Sequence, residues 1–271
     1  MAVDVRHRDR ACSLRRRPLR ASTERKARKC LESPVGVGPT AQVLILFDID
    51  GTLLLRASAE HAAALREALS AVYGVARFER VGAAGRTDTA IARDIAAADG
   101  VDRARFDAGI AELQTACAEA FARLCPPSLA QHVAPGITEL LDGLSARGGV
   151  RCSLVTGNYE PVARLKLELA GIGHHFERGQ GGFGSDAEDR DMLPAIARAR
   201  AGGQPRGRTI VVGDTPADIG CARADGLRVL VVATGIFTAD QLTGADAVTA
   251  DAFELAGVLE RELLSAPVAC T

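Results

Sequence analysis

Short apolar runs punctuate the chain, and most of them end in polar residues at once. Residues 43–47 run into Asp48, 151–155 into Thr156, 209–212 into Gly213-Asp214, and 228–232 stop near Thr234. Residues 245–248 form a shorter fifth run. Continuous apolar runs of about four to eight residues, bounded by turn residues, predict strands buried on both faces. Helical periods follow most of these runs. The spacing predicts a helix over 161–170, with Asn158 or Glu160 near its start and Gly171 past its end. It predicts another over 216–225, with Thr215 as N-cap, Pro216 in the first turn and Gly226 just beyond. Strands alternating with helices predict an α/β fold: a parallel sheet covered by helices on both faces. In such sheets ligands bind at the carboxyl ends of the strands, which is where the polar residues collect.

One connection is too long for this plan. Asp48 and Thr156 lie 108 positions apart, whereas a strand-helix-strand unit needs only about 30 residues. The excess carries helical patterns at 58–72, 88–98 and 106–124, and Pro126-Pro127 and Pro135-Gly136 mark its return. Residues 55–133 are therefore expected to be a small helical domain inserted after the first strand, within a core of 41–54 and 134–271. Rooted at the ligand edge of the sheet, such an insert can serve as a lid.

Composition narrows the class. Of 271 residues, 47% are apolar and 25% charged, as in ordinary globular proteins. No apolar run is long enough to span a bilayer, which excludes an integral membrane protein. The seven cysteines are scattered, without a CxxC pair and odd in number. This favours a reducing, cytoplasmic setting over a zinc site or disulfide framework. The net charge of -1 averages two unlike parts: residues 1–40 carry +7 and the remainder -8. An acidic body is a poor nucleic-acid surface and a poor membrane partner. Residues 1–40 hold Arg15-Arg16-Arg17, Pro18, Pro34 and Pro39 with no apolar period, as in a flexible basic tail. An organellar leader or a nucleic-acid tether is the alternative for that segment.

Three motifs carry chemistry. In Phe47-Asp48-Ile49-Asp50-Gly51-Thr52-Leu53, two carboxylates stand two residues apart at the end of a buried strand. Extended backbone would turn both to one face, and Gly51 allows a sharp turn behind them. No further oxygen ligands or closing Glu follow, so a calcium loop is disfavoured. In Gly213-Asp214-Thr215-Pro216-Ala217-Asp218, two more aspartates flank a strand-to-helix junction, where N-capping explains only one. Leu154-Val155-Thr156-Gly157-Asn158 offers a hydroxyl and backbone amides suited to a phosphate oxygen.

In this order the motifs resemble the haloacid dehalogenase superfamily of phosphohydrolases, over residues 43 to about 255. The helical insert resembles the small cap of its phosphoglycolate-phosphatase-like members. The resemblance implies a Rossmann-like core with an inserted cap and a Mg2+-dependent phosphomonoesterase acting on a small phosphorylated metabolite. It also implies roles for particular residues. Asp48 would be the nucleophile that forms an aspartyl-phosphate, and Asp50 the acid/base. Thr156, with Gly157 and Asn158, would hold the phosphoryl group. Asp48, the Asp50 backbone carbonyl, Asp214 and Asp218 would hold the metal ion.

The family also places a cation, usually lysine, against the phosphate. Only Lys26, Lys29 and Lys166 occur in the chain, the first two in the tail. Lys166 falls mid-helix, ten residues after Thr156, where a solvated helix face would equally account for it. Arg190 opens a helix 24 residues before Asp214, at the family's usual spacing. Arg190 is the preferred candidate, and an arginine would be a departure from the commoner lysine. Asp50 argues against a haloalkanoate dehalogenase, which has no leaving oxygen to protonate. The lysine-free insert argues against a phosphonatase and weakens a mutase reading. Arg86, in Gly85-Arg86-Thr87-Asp88, could meet the non-reacting end of the substrate, or be an exposed arginine beside an N-cap. The loop Gly179-Gln-Gly-Gly-Phe-Gly184 reads as flexible punctuation, with Phe183 near the site. His174-His175 has no third metal ligand near it in the sequence. A catalytically silent phosphate-binding protein on this fold, or a nucleic-acid end phosphatase guided by the tail, are the rival functions. A monomer or homodimer is expected.

Overall fold

A computed structural model describes residues 43–265, so the basic segment 1–40 lies outside the described residues. Six strands form one parallel sheet: β1 (Val43–Phe47), β2 (Val150–Thr156), β3 (Gly182–Phe183), β4 (Thr209–Gly213), β5 (Arg228–Val232) and β6 (Ala247–Thr249). Their spatial order is β3-β2-β1-β4-β5-β6. From β1 the chain builds outward to β2 and β3, then returns to start β4, β5 and β6 on the other side. The switch point therefore falls between β1 and β4, where parallel sheets open a crevice beyond the strand ends. Phe47 is in register with Val212, which sets the Asp48 and Asp214 loops side by side at that crevice.

Alternation along β1 explains why helices cover both faces. Val43, Ile45 and Phe47 join one apolar cluster, and Leu44 and Leu46 join another. Successive strand side chains point to opposite faces, so an all-apolar strand must be buried twice. The first face is packed by α4 (Ile137–Ala146), α5 (Glu160–Leu169) and α8 (Ala252–Ser265), through residues such as Leu141, Leu167 and Leu255. The second is packed by α6 (Leu193–Arg200) and α7 (Pro216–Ala224), through Leu193, Ala197 and Ala222. Each fully buried Leu, Ile or Phe contributes roughly 1.5–3 kcal/mol of transfer free energy.

Between β1 and β2 stand α1 (Ala59–Tyr73), α2 (Asp88–Ala98) and α3 (Arg103–Leu124). They are gathered around a separate apolar cluster that includes Leu69, Ile95, Phe106 and Phe121. The two connections run side by side: Leu54 bridges Val133, and the Leu55 amide donates to the His132 carbonyl at 2.7 Å. The helical cluster is completed by Tyr159 and Val162, which belong to the sheet-flanking segment around α5. Helical lobe and sheet accordingly form a single compact unit.

The glycine-rich segment expected to be flexible is instead the edge strand β3, whose Gly182 and Phe183 pair with Val155 and Thr156. Phe183 is fully buried rather than at the site margin. Close approach explains the glycines: a Cβ on Gly182 would fall 2.3 Å from the Leu193 carbonyl oxygen. No helix among the described residues is long and apolar enough to cross a membrane.

Candidate active site

Asp48 leaves the end of β1 buried, with its amide donating to the Val212 carbonyl at 2.9 Å. Gly51, at φ 95°, turns the chain back in the left-handed region that glycine enters freely. A cleft of about 880 Å³ opens there, lined by the strand ends on one side and by the helical lobe on the other.

Asp214 at the end of β4 is buried, and its Oδ1 accepts from Thr52 Oγ1 at 2.9 Å. Asp218 does serve the N-terminus of α7: it forms a capping box with Thr215. Its Oδ2 accepts from the amides of Asp214 (3.2 Å) and Thr215 (3.0 Å) and from Thr215 Oγ1 (2.7 Å). Its Oδ1 accepts from Arg190 Nη2. Asp218 thus buttresses the loop that carries Asp214 and orients Arg190. One oxygen each of Asp48, Asp214 and Asp218 lie within 4.8 Å of one another.

This crowding has an electrostatic cost. Burial, partly offset by Arg190, and repulsion from Asp218 and Asp50 push the Asp48 carboxyl up to about 7. Burial and the neighbouring Asp48 and Asp218 push Asp214 up to about 8. Asp214 is also closely cradled: a Cβ on Gly51 would fall 2.2 Å, and one on Gly235 1.8 Å, from its Oδ2. An all-oxygen set of buried carboxylates short of positive charge suits a hard divalent cation such as Mg2+.

Both candidate cations reach the site. Arg190 Nη2 lies 3.2 Å from Asp48 Oδ1 while it holds Asp218. Lys166 is not on a solvated helix face: its side chain is wholly buried, and Nζ donates to Asp50 Oδ1 at 2.9 Å and Oδ2 at 2.7 Å. The solvated-face alternative fails because α5 lies between the sheet and the helical lobe. Asn158 Nδ2 donates to Asp50 Oδ2 at 3.0 Å. Burial alone would raise the Asp50 carboxyl, but Lys166, His61 and Asn158 more than reverse this and leave it below the usual carboxylate range. Thr156 and Gly157 line the cleft, and the Thr156 Oγ1 lies 3.4 Å from the Asn158 amide that donates to it. Arg190 Nε and Asn158 Oδ1 are buried without a partner.

Arg86 also lines the cleft, but its guanidinium turns back onto its own segment. It pairs with Asp94 at 2.8 Å and donates to the Gly82 and Ala90 carbonyls.

Two residues in contact with this group had no sequence signal, and a third lines the cleft. His61, on α1, is buried, with Nδ1 3.2 Å from Lys166 Nζ and Nε2 3.0 Å from Asp88 Oδ2. An ammonium can only donate, so Nδ1 accepts and the Nε2 proton goes to Asp88. Asp88, in the first turn of α2, also accepts from the Tyr159 amide at 2.7 Å. The sequence shows only a histidine in a helical period and an acidic residue in a first turn. Arg56, a non-glycine residue at φ 57°, is exposed where it lines the cleft.

The family model for haloacid dehalogenase-like hydrolase matches residues 45–223, more than half of the chain. The chain belongs to the haloacid dehalogenase-like hydrolases. Within the family, it is similar to a phosphoglycolate phosphatase from Rhodospirillum rubrum, at 34% identity over 140 residues. That match covers 51% of this chain and 57% of the relative's length. Its fold is similar to that of a hydrolase from Pseudomonas syringae (TM-score 0.58, 20% identity, covering 81% of this chain and 99% of that one). It is also similar to CbbY from Rhodobacter sphaeroides in complex with phosphate (TM-score 0.53, 20% identity, 79% and 96% covered).

Proposed function

We propose that the chain is a Mg2+-dependent phosphomonoesterase that acts on a small phosphorylated metabolite through a phosphoryl-aspartate on Asp48. The supporting observation is that one oxygen each of Asp48, Asp214 and Asp218 lie within 4.8 Å beside a cleft lined by Asp48, Asp50, Thr156, Arg190 and Asp214, with Lys166 buried behind Asp50. Asp48, Asp214 and the Asp50 backbone carbonyl would hold the ion, with Asp218 behind them. Bound there, Mg2+ supplies the positive charge an anionic nucleophile needs near a phosphate dianion.

The steps follow from the side chains. An Asp48 oxygen attacks phosphorus, and the bond to the ester oxygen breaks. Asp50 gives that oxygen a proton, so that the free alcohol leaves. Water then attacks phosphorus, the bond to Asp48 breaks, and Asp50 takes the water's proton as inorganic phosphate departs. At rest Lys166 and Asn158 keep Asp50 ionised, the form required in the second step. A phosphate dianion entering beside it raises its proton affinity, so that Asp50 takes up a proton from water before the first step. Arg190 Nε offers a donor for the bound ester. Helices α1–α3 act as the cap that closes the cleft from water.

Since Arg86 is engaged with Asp94, Arg56 is the cation available for an anionic far end, such as the carboxylate of phosphoglycolate. Turnover of an aryl phosphate and of a panel of phosphorylated metabolites, each with and without chelator, tests the reading. Chelator-sensitive release of phosphate is expected. Arg56→Ala is expected to raise KM for phosphoglycolate and leave aryl phosphate unaffected. No turnover of any ester with Mg2+ present would leave a phosphate-binding role instead.

A further inference from the structure

The sheet has a second cluster of potential ligands, at the end opposite the cleft. Helix α5 starts at the carboxyl end of β2 and runs away from it, so the turn after it, with His174 and His175, lies near the amino ends of the strands. Helix α4 leads into β2 and brings Asp142 and Ser145 to the same end. The third ligand that the sequence did not place near the two histidines is therefore supplied by another helix.

His175 Nε2 stands 3.4 Å from Asp142 Oδ1 without forming a hydrogen bond. The His175 side chain is 3% exposed and its Nε2 is buried with no partner. The other ring nitrogen, Nδ1, is 2.9 Å from Ser145 Oγ. Ser145 Oγ can accept from Nδ1–H, the tautomer that leaves the Nε2 lone pair free to bind a cation beside the Asp142 carboxylate. The His174 ring lies against the His175 ring, with centroids 4.0 Å apart. One ligand atom from each of Asp142, His174 and His175 falls within 4.8 Å of the other two.

A metal ion would give the buried Nε2 the partner it lacks. In a tetrahedral site with bonds of about 2.0–2.1 Å, neighbouring ligand atoms lie about 3.4 Å apart. Ser145 on Nδ1 supplies the outer hydrogen bond that usually fixes a ligating imidazole. We propose that Asp142, His174 and His175 form a second metal site, selective for a zinc-class ion and distinct from the all-oxygen site at Asp48. Two imidazoles and one carboxylate suit Zn2+, Co2+ or Ni2+ rather than Mg2+. Asp142 is 65% exposed, so the fourth position opens to solvent. The ion would tie α4 to the end of α5 and stabilise the fold by mass action, without touching the phosphoryl chemistry.

Co2+ titration of the full chain, saturated beforehand with Mg2+, is the test. The expected result is a single equivalent bound, with the intense visible absorption of a tetrahedral nitrogen-ligated site, displaced by Zn2+. His174→Ala and His175→Ala should abolish that spectrum, and Asp142→Asn should weaken Co2+ binding by about tenfold or more. Turnover with Mg2+ should be unchanged in all three variants, which also shows that they fold. Absence of Co2+ binding in the Mg2+-loaded protein, an octahedral spectrum, or binding indifferent to these substitutions would each overturn the proposal.

Discussion

Asp50 draws its partners from three separate segments: Ser58 near the start of α1, Asn158 after β2 and Lys166 on α5. Behind Lys166 stand His61 and Asp88, so a buried row of alternating acceptors and donors runs from the helical lobe to Asp50. Both stand at the cleft wall behind Lys166. Their part is to hold Lys166 in place, and the effect belongs in kcat. His61→Ala, which removes the acceptor, should lower kcat by roughly tenfold or more, worth about 1.4 kcal/mol or more, with KM little changed. His61→Gln, still able to accept from Lys166, should recover part of the loss. Steady-state kinetics with both variants checks this, and wild-type kcat in both would refute it. Arg190 differs in kind. Arg190→Ala leaves buried Asp48 and Asp218 unpaired and should cost roughly 3–5 kcal/mol of stability as well as activity, measurable by urea unfolding. Arg190→Lys should keep most of the stability and lose turnover, since one ammonium cannot reproduce the fork between two carboxylates.

At the scale of elements, the site depends on loops that glycine lets come close. Gly235→Ala places a methyl group 1.8 Å from Asp214 Oδ2 by backbone geometry. The carboxylate must swing away, so Mg2+ binding should fall well over tenfold with the sheet intact, as read by calorimetry and circular dichroism. Elements with strong periods were legible in the sequence. β1, β2, β4 and β5 are runs of apolar residues, and α7 carries Thr215, Pro216 and Gly226 at the positions where helices start and stop. β3 was not legible, because two residues of Gly-Phe carry no period and the surrounding glycines suit a loop as well as close packing. The aspartates of the site were legible because each ends a strand or opens a helix. His61 and Asp88 were not, because their places beside Lys166 exist only once the helical lobe packs on α5. Lys166 was read two ways for the same reason: its helix period says which face it occupies, not that the helical lobe covers that face.

For the whole molecule, the acid–base balance of the site links metal, pH and stability. Asp48 and Asp214 titrate near 7 and 8 in the folded protein, against about 3.9 in an unfolded chain. Between about pH 4 and 8 the metal-free folded state therefore binds more protons than the unfolded state, and stability falls as pH rises through that window. A cation that needs both carboxylates ionised must displace those protons. Its apparent affinity should rise with pH, by up to about tenfold per unit for each proton released. Thermal melts at about pH 6 and about pH 9 should show a larger Mg2+-induced rise in Tm at the higher pH. Replacing Asp48 acts on the same balance: Asp48→Asn removes a buried repulsive charge and should raise Tm in the absence of Mg2+.

The central claim, that Asp48 is phosphorylated during turnover, is tested most directly by acid-quenching the Mg2+-loaded protein during turnover of an aryl phosphate. Mass spectrometry of its peptides then locates any adduct. The account predicts one phosphoryl group on the peptide containing Asp48, with no adduct and turnover reduced by at least about 10⁴-fold in Asp48→Asn. Substantial turnover by Asp48→Asn, with no phosphoryl group on that peptide in the native protein, would contradict it.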